Sequence, residues 1–203
     1  MATVLTERSL EDEIRQLLAE DRLYEVIDGQ VVEIDRMGAS ETKLASWLIR
    51  LLGHFVDPND LGHVVMETLF DLSSSAGHKR RPDLAFVSAD RWPVDQAVPE
   101  GDAWCVVPDL AVEVVSPTNS ANEIMERMSD FFIAGVRCVW VIYPRHREVQ
   151  VYTSLHEMRG YGLDDRVPGD PVLPGLQLPL TKLFRTAVSA EPERSPDDSI
   201  ADE

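Results

Sequence analysis

From Ser40 onward the apolar residues Leu44, Trp47, Leu48, Leu51, Leu52 and Phe55 recur at the three-and-four spacing of one helical face, which predicts a helix lying on a sheet. Ahead of it, Ser9 followed by Leu10, Ile14, Leu17 and Leu18 predicts a short capped amphipathic helix. Between the two, alternating apolar positions from Tyr24 to Ile34 flank Asp28-Gly29, the strongest short-range signal for a hairpin with a type I′ turn.

Strand-like runs follow at 63–72, 82–87 and 108–115, then a helical stretch over 121–134 and strands over 137–143 and 148–153. Pro168, Pro171, Pro174 and Pro179 predict turns and short strands, ending in a small helix around 181–184. A helix, a run of strands, a second helix and further strands together predict an α/β (α+β) protein with a helix on a mixed sheet.

Composition changes this picture mainly through charge. The 203 residues are enough for one domain, expected over 1–188, and 19 Lys plus Arg against 36 Asp plus Glu leave a net charge of −17. That field repels phosphate backbones and argues against tight, sequence-independent nucleic-acid binding. The stretch 189–203 is acidic and nearly free of large aliphatic side chains, so it is expected to be a disordered tail. Cys105 and Cys138 each lie in an apolar stretch, which suits buried reduced thiols and a cytoplasmic protein. The charged N-terminus has no signal-peptide core, and every apolar run is too short to span a membrane. The five histidines have no zinc-ligand spacing, and no phosphate-loop or nucleophile-elbow motif occurs.

The chemistry concentrates in strand acids. Glu113 sits among Ala111, Val112, Val114 and Val115, where an unpartnered charge would be costly, so it demands a cation or a donor. Asp83 begins a neighbouring strand run, and Glu67 lies within the one before it. Three such acids could converge into an oxygen-rich site of the kind that holds Mg²⁺ or Mn²⁺. For a single acid the competing reading is a salt bridge or turn chemistry. Trp47 and Trp140 fall in apolar patterns and are expected in the core, whereas Trp92 and Trp104 are open between packing under loops and stacking on bases.

The blocks Tyr24-Glu25-Val26-Ile27-Asp28-Gly29, Arg81-Pro82-Asp83-Leu84-Ala85-Phe86-Val87, Pro108-Asp109-Leu110-Ala111-Val112-Glu113-Val114-Val115-Ser116-Pro117 and Ala134-Gly135-Val136 carry a resemblance. Together with Val139-Trp140-Val141-Ile142 and the ending Val172-Leu173-Pro174-Gly175-Leu176-Gln177-Leu178-Pro179, they resemble the Uma2 family, once called DUF820, over roughly 17–184. That family belongs to the restriction-endonuclease-like PD-(D/E)XK superfamily. The resemblance implies a mixed β-sheet core flanked by helices with an N-terminal hairpin. It also implies a metal-dependent endonuclease acting on nucleic acid, DNA ahead of RNA, and a homodimer.

By that resemblance Asp83 and Glu113 are the catalytic acids and the ligands of Mg²⁺ or Mn²⁺; Glu67, from the strand pattern, is the expected third ligand. The superfamily's lysine would stand at Val115, which cannot supply it; Uma2-like sequences place a lysine on the next helix, where this chain has Glu126-Arg127. Arg127 would then stabilise charge on the phosphate without accepting a proton. Its competing role is an ordinary surface pair with Glu123, four residues earlier. A second departure is Ser40-Glu41-Thr42-Lys43, where the family often has a histidine.

The cationic run His78-Lys79-Arg80-Arg81 could steer a phosphate strand locally, or be a solvated loop. Lys79, Arg80, Arg81 and Glu25 are accordingly the expected substrate-side residues. The alternative function, prompted by Val115, Arg127 and the acidic surface, is a catalytically silent relative serving as a binding or assembly module.

Overall fold

The computed structural model describes residues 9–72 and 77–186; the expected acidic tail at 189–203 lies outside them. Helix α1 (Leu10–Ala19) starts where the Ser9 side chain accepts the Asp12 N–H. Strands β1 (Leu23–Ile27) and β2 (Gln30–Ile34) pair in the register Ile27↔Gln30. Asp28 and Gly29 between them have φ of +51° and +73°, both in the left-handed region that a type I′ turn requires. Helix α2 (Ala39–Val56) follows and buries Leu44, Leu48, Leu52 and Val56.

Then come β3 (Gly62–Met66), β4 (Phe70–Asp71), β5 (Lys79–Arg80), β6 (Leu84–Ser88) and β7 (Leu110–Val114). Helix α3 (Ala121–Ala134) opens with a reciprocal capping box between Ser120 and Glu123 and ends at Gly135, whose φ is +97°. After it lie β8 (Cys138–Tyr143), β9 (Glu148–Ser154), β10 (Glu157–Tyr161), β11 (Arg166–Pro168), β12 (Gln177–Pro179) and the short α4 (Leu180–Leu183).

The large sheet has the order β10-β9-β8-β7-β6-β3. Only β7 and β8 pair in parallel, which needs the crossover that α3 supplies. One face of this sheet, with Leu84, Phe86, Leu110, Val112, Trp140 and Ile142, packs on α2. The other, with Ala85, Val87, Ala111, Val139 and Val141, packs on Ile124, Met128 and Phe131 of α3. Strand β7 is therefore buried on both faces, and its sequence does not alternate for that reason. A second sheet, β2-β1-β5-β4, carries the hairpin against the edge where β6 begins.

Three expectations are corrected. The run at 63–72 is two strands in two sheets: it breaks at Glu67, whose φ is +44° and whose N–H bonds the Asp83 carbonyl at 3.2 Å. Lys79-Arg80 is a paired strand, opposite Val26 on one side and Phe70-Asp71 on the other, and not a solvated loop. Strand β10 went unpredicted because only Tyr161 in it is buried, which leaves no apolar alternation to read. Cys138 is buried as expected, whereas Cys105 is exposed, because the neighbouring Trp104 takes the inward place and stacks on Phe70. Trp92 meets Trp104 edge-on, so both pack under loops. Among the described residues no helix is long and apolar enough to cross a membrane.

Candidate active site

The antiparallel register Leu84↔Val112 carries on by one residue to set Asp83 across from Glu113. Directly opposed residues project to the same face, here the face covered by α3. The Val114 N–H donates to Asp83 Oδ2 at 2.6 Å, tying the two strand ends together. Burial pushes the Asp83 carboxyl up to about 6, with the Val114 N–H and the Arg127 charge pulling the other way. Glu113, only 5% exposed, is pushed by burial up to about 8, against the pull of Arg127 and with a further push from Asp83. The similar segment Pro108-Asp109 ends differently. Asp109 is saturated by the Ser88 N–H, Arg91 and Arg137, and acts as a structural anchor.

Arg127 does not pair with Glu123, whose carboxylate accepts the Ser120 N–H in the helix cap. Instead it turns from α3 into the site. Its Nη2 donates to Glu113 Oε1 at 2.9 Å and to the Arg81 carbonyl at 2.9 Å. Its Nη1 donates to both oxygens of Glu25, at 2.8 and 2.9 Å. Burial opposes the guanidinium charge, but the Glu113 and Glu25 carboxylates outweigh it and raise the pKa above the ordinary arginine value. Arg127 is thus a permanent cation whose fork reaches, from the helix, the flank of Glu113.

Glu25 is fully buried and receives three partners: the Arg127 fork, Arg80 Nη1 at 2.8 Å and the Arg81 N–H at 2.8 Å. Arg80, 4% exposed, continues the chain of charges to Asp130 on α3, three residues beyond Arg127. Arg81 donates its Nη1 to the Glu67 carbonyl. The expectation that Glu25, Arg80 and Arg81 face a substrate is therefore corrected for the first two: inside the protein Glu25 holds Arg127, and Arg80 holds Glu25 and Asp130. Among the described residues no ion pair engages Lys79. Glu67, expected within a strand, is a left-handed turn residue, although its charge still reaches Asp83 and Arg81.

Among the described residues no group of three or more metal-ligating side chains is assembled, so the expected three-acid convergence does not form. What remains is a pair of acids. Asp83 Oδ1 and Glu113 Oε2 make no hydrogen bond among the described residues, while each acid's other oxygen is held. Two desolvated carboxylates with one free oxygen apiece fit Mg²⁺ or Mn²⁺, which bind through one or two carboxylates and complete their shell with water and substrate phosphate.

The same acids make a pH-dependent expectation. Both carboxyls lie above their unfolded values near 4, so in the metal-free protein the native state holds more protons than the unfolded one. Their contribution to stability is complete below pH ~4 and is lost as pH rises through about 6 and about 8. A divalent ion competes with those protons. The Tm gain on adding Mn²⁺ should therefore be larger at pH 8 than at pH 5, read by thermal unfolding against EDTA, and should shrink in Glu113→Gln. An equal gain at both pH values, or one indifferent to Glu113→Gln, places the ion elsewhere.

Sequence reasoning missed Asp130 altogether and singled out Glu25 for the substrate side, not as a support. Asp130 falls on the same helical stripe as Arg127, and Glu25 is a charge between two buried neighbours, Tyr24 and Val26. Those two patterns were the available signals. Their pairing across the fold was not.

No curated protein matches the chain. In fold it is similar to the crystal structure of "a putative nuclease belonging to DUF820" from Anabaena variabilis, with a TM-score of 0.73 at 20% identity over 90% of this chain and 100% of that one. The likeness establishes a shared architecture, a mixed sheet flanked by helices. At the level of sequence, residues 11–181 match the Uma2 family, described as "Putative restriction endonuclease", and the chain belongs to that family.

Proposed function

We propose that the protein is a divalent-metal-dependent nuclease that hydrolyses phosphodiester bonds of nucleic acid, DNA ahead of RNA, at the edge formed by Asp83 and Glu113. The observation that carries this reading is the contact of Arg127 Nη2 with Glu113 Oε1 at 2.9 Å, beside an acid pair joined through the Val114 N–H. Family membership and the shared fold support it.

Asp83 Oδ1 and Glu113 Oε2 would hold the ion, which when bound lowers the pKa of water and offsets phosphate charge. Arg127 contributes a fixed cation next to the position where negative charge builds on the phosphate. It cannot take a proton, so it replaces the superfamily lysine electrostatically and not as a base. Glu25, itself held by Arg80, keeps that fork from swinging away, because the fork's Nη1 and Nη2 groups are already aimed before substrate arrives.

One observation favours a second reading, a catalytically silent binding or assembly module. Arg127 directs its Nη1 and Nη2 groups wholly to protein acceptors, leaving a phosphate to compete with Glu25 and Glu113 for them. Turnover separates the two. Purified protein at low salt should cleave single-stranded DNA, duplex DNA or RNA with Mn²⁺ or Mg²⁺ and not with EDTA. Absence of cleavage on all three substrates by folded protein selects the silent module.

A further inference from the structure

A cavity of about 510 Å³ opens where the exits of β7 and β8 meet the first turn of α2. The Val115 N–H bonds the Ile142 carbonyl at 2.9 Å, so the two exits run side by side before diverging to form its walls. Glu113 lies two residues before Val115 on the same strand, and Pro117, on the cavity wall, is four residues past Glu113, at most ~13 Å along an extended chain. The cavity thus lies at the same end of the sheet as the acid pair, walled on one side by α2 where the pair faces α3, and shares no side chain with it.

Its lining combines two chemistries. Lys43 and Arg145 are exposed cations on opposite walls, in a molecule with 36 acids against 19 Lys and Arg. Pro117 and the half-buried ring of Tyr143 offer flat apolar surfaces. Deeper in, Glu41 is 8% exposed, with one carboxylate oxygen held by the Ser40 hydroxyl at 2.8 Å. Cations at the rim suit a phosphate, an aromatic face suits a base, and a fixed carboxylate suits an amino or hydroxyl donor. The volume lies in the range of small-ligand pockets, ample for one nucleotide and far too small for a stacked base pair in its duplex.

We propose that this cavity receives one unpaired nucleotide of the strand whose phosphate lies at Asp83 and Glu113, so that the substrate is single-stranded or has a frayed end. Lys43 and Arg145 take its phosphate, Tyr143 stacks on its base, and Glu41 accepts from its polar edge. This rests on the nuclease reading for the identity of the polymer. It is tested by binding, without turnover.

Fluorescence anisotropy in EDTA at low salt would compare a labelled eight-nucleotide single strand with the blunt duplex of the same sequence, on the wild type, the Lys43→Glu/Arg145→Glu double variant and Tyr143→Leu. Lys43 and Arg145 are exposed, so charge reversal there should leave the fold intact, and an unchanged Tm confirms it. The strand should bind about tenfold tighter than the duplex, and both variants should lose about tenfold of that affinity, the size of one lost stacking or phosphate contact. Equal binding of strand and duplex overturns the proposal, as does strand binding indifferent to both variants. A free mononucleotide that competes as well as the strand, molecule for molecule, overturns the assignment to a strand. The two readings fail separately: strand binding that depends on Lys43 and Arg145 without any cleavage in Mn²⁺ sinks the nuclease and keeps the cavity, and cleavage with variant-indifferent binding does the reverse.

Discussion

Glu113→Gln and Asp83→Asn should each abolish the proposed metal-dependent cleavage, by at least about 10³-fold in kcat, while the protein stays folded. Both changes are isosteric. Asn at 83 can still accept the Val114 N–H, and Gln at 113 can still accept from Arg127, so the local hydrogen bonds survive and only the charge is lost. Since both carboxyls are desolvated and raised, neutralising them in the metal-free protein at pH 8 should leave Tm unchanged or raise it. Activity lost with stability kept is the signature of an acid acting on substrate or metal. Equal loss of both would make the acids structural. Arg127→Lys is the companion measurement: if the cation acts electrostatically, lysine keeps part of the rate, whereas Arg127→Met should cost about 10²–10³-fold. Full activity in Arg127→Met would remove Arg127 from the mechanism.

Glu25→Ala should cost about 3–5 kcal/mol of folding stability, the range for removing one partner of a buried ion pair. At roughly 2–4 °C per kcal/mol for a chain of this size, Tm should fall by several to about twenty degrees. The cause is specific. Glu25 is fully buried, and without it Arg80 and Arg127 lose the carboxylate that each faces, leaving one buried and one partly buried guanidinium group with one acid apiece, Asp130 and Glu113. Glu25→Gln keeps the shape and the acceptor for the Arg81 N–H, so it should lose less. A double-mutant cycle of Glu25 with Arg127 should report a coupling of about 0.5–3 kcal/mol by denaturant unfolding. A Tm drop under two degrees in Glu25→Ala would mean that water replaces the carboxylate and that the network does not brace Arg127.

These two results bear on different layers of one site, and the sequence disclosed them unequally. Glu113 could be recognised because a carboxylate among β-branched neighbours must have a partner wherever the strand goes. Asp83 was weaker, because Pro-Asp also starts turns, and its twin Asp109 turned out to be a structural anchor. Glu67 was misplaced for a local reason: nothing in Val64-Val65-Met66-Glu67-Thr68-Leu69-Phe70 marks the left-handed residue at which the chain leaves one sheet for the other. Arg80 and Arg81 looked like a free cationic patch because a run of like charges ordinarily is one, and only pairing of β5 with β1 carries Arg80 to Glu25.

What the sequence determined by itself is most of the elements: the helices, the Asp28-Gly29 hairpin, and the strands with apolar faces, but not β5, β10 or the break at Glu67. Those depend on backbone dihedrals and on side-chain periodicities of two and 3.6, which are legible over a few residues. Tertiary structure decided which acids meet and what Arg127 holds. Glu25 and Arg127 are 102 residues apart, and their contact exists because the pairing of β1 with β5 and the seating of α3 on one face of the large sheet bring them together. An ion pair of that separation has no local signature, because its energy depends on distance and burial that only the packed fold supplies.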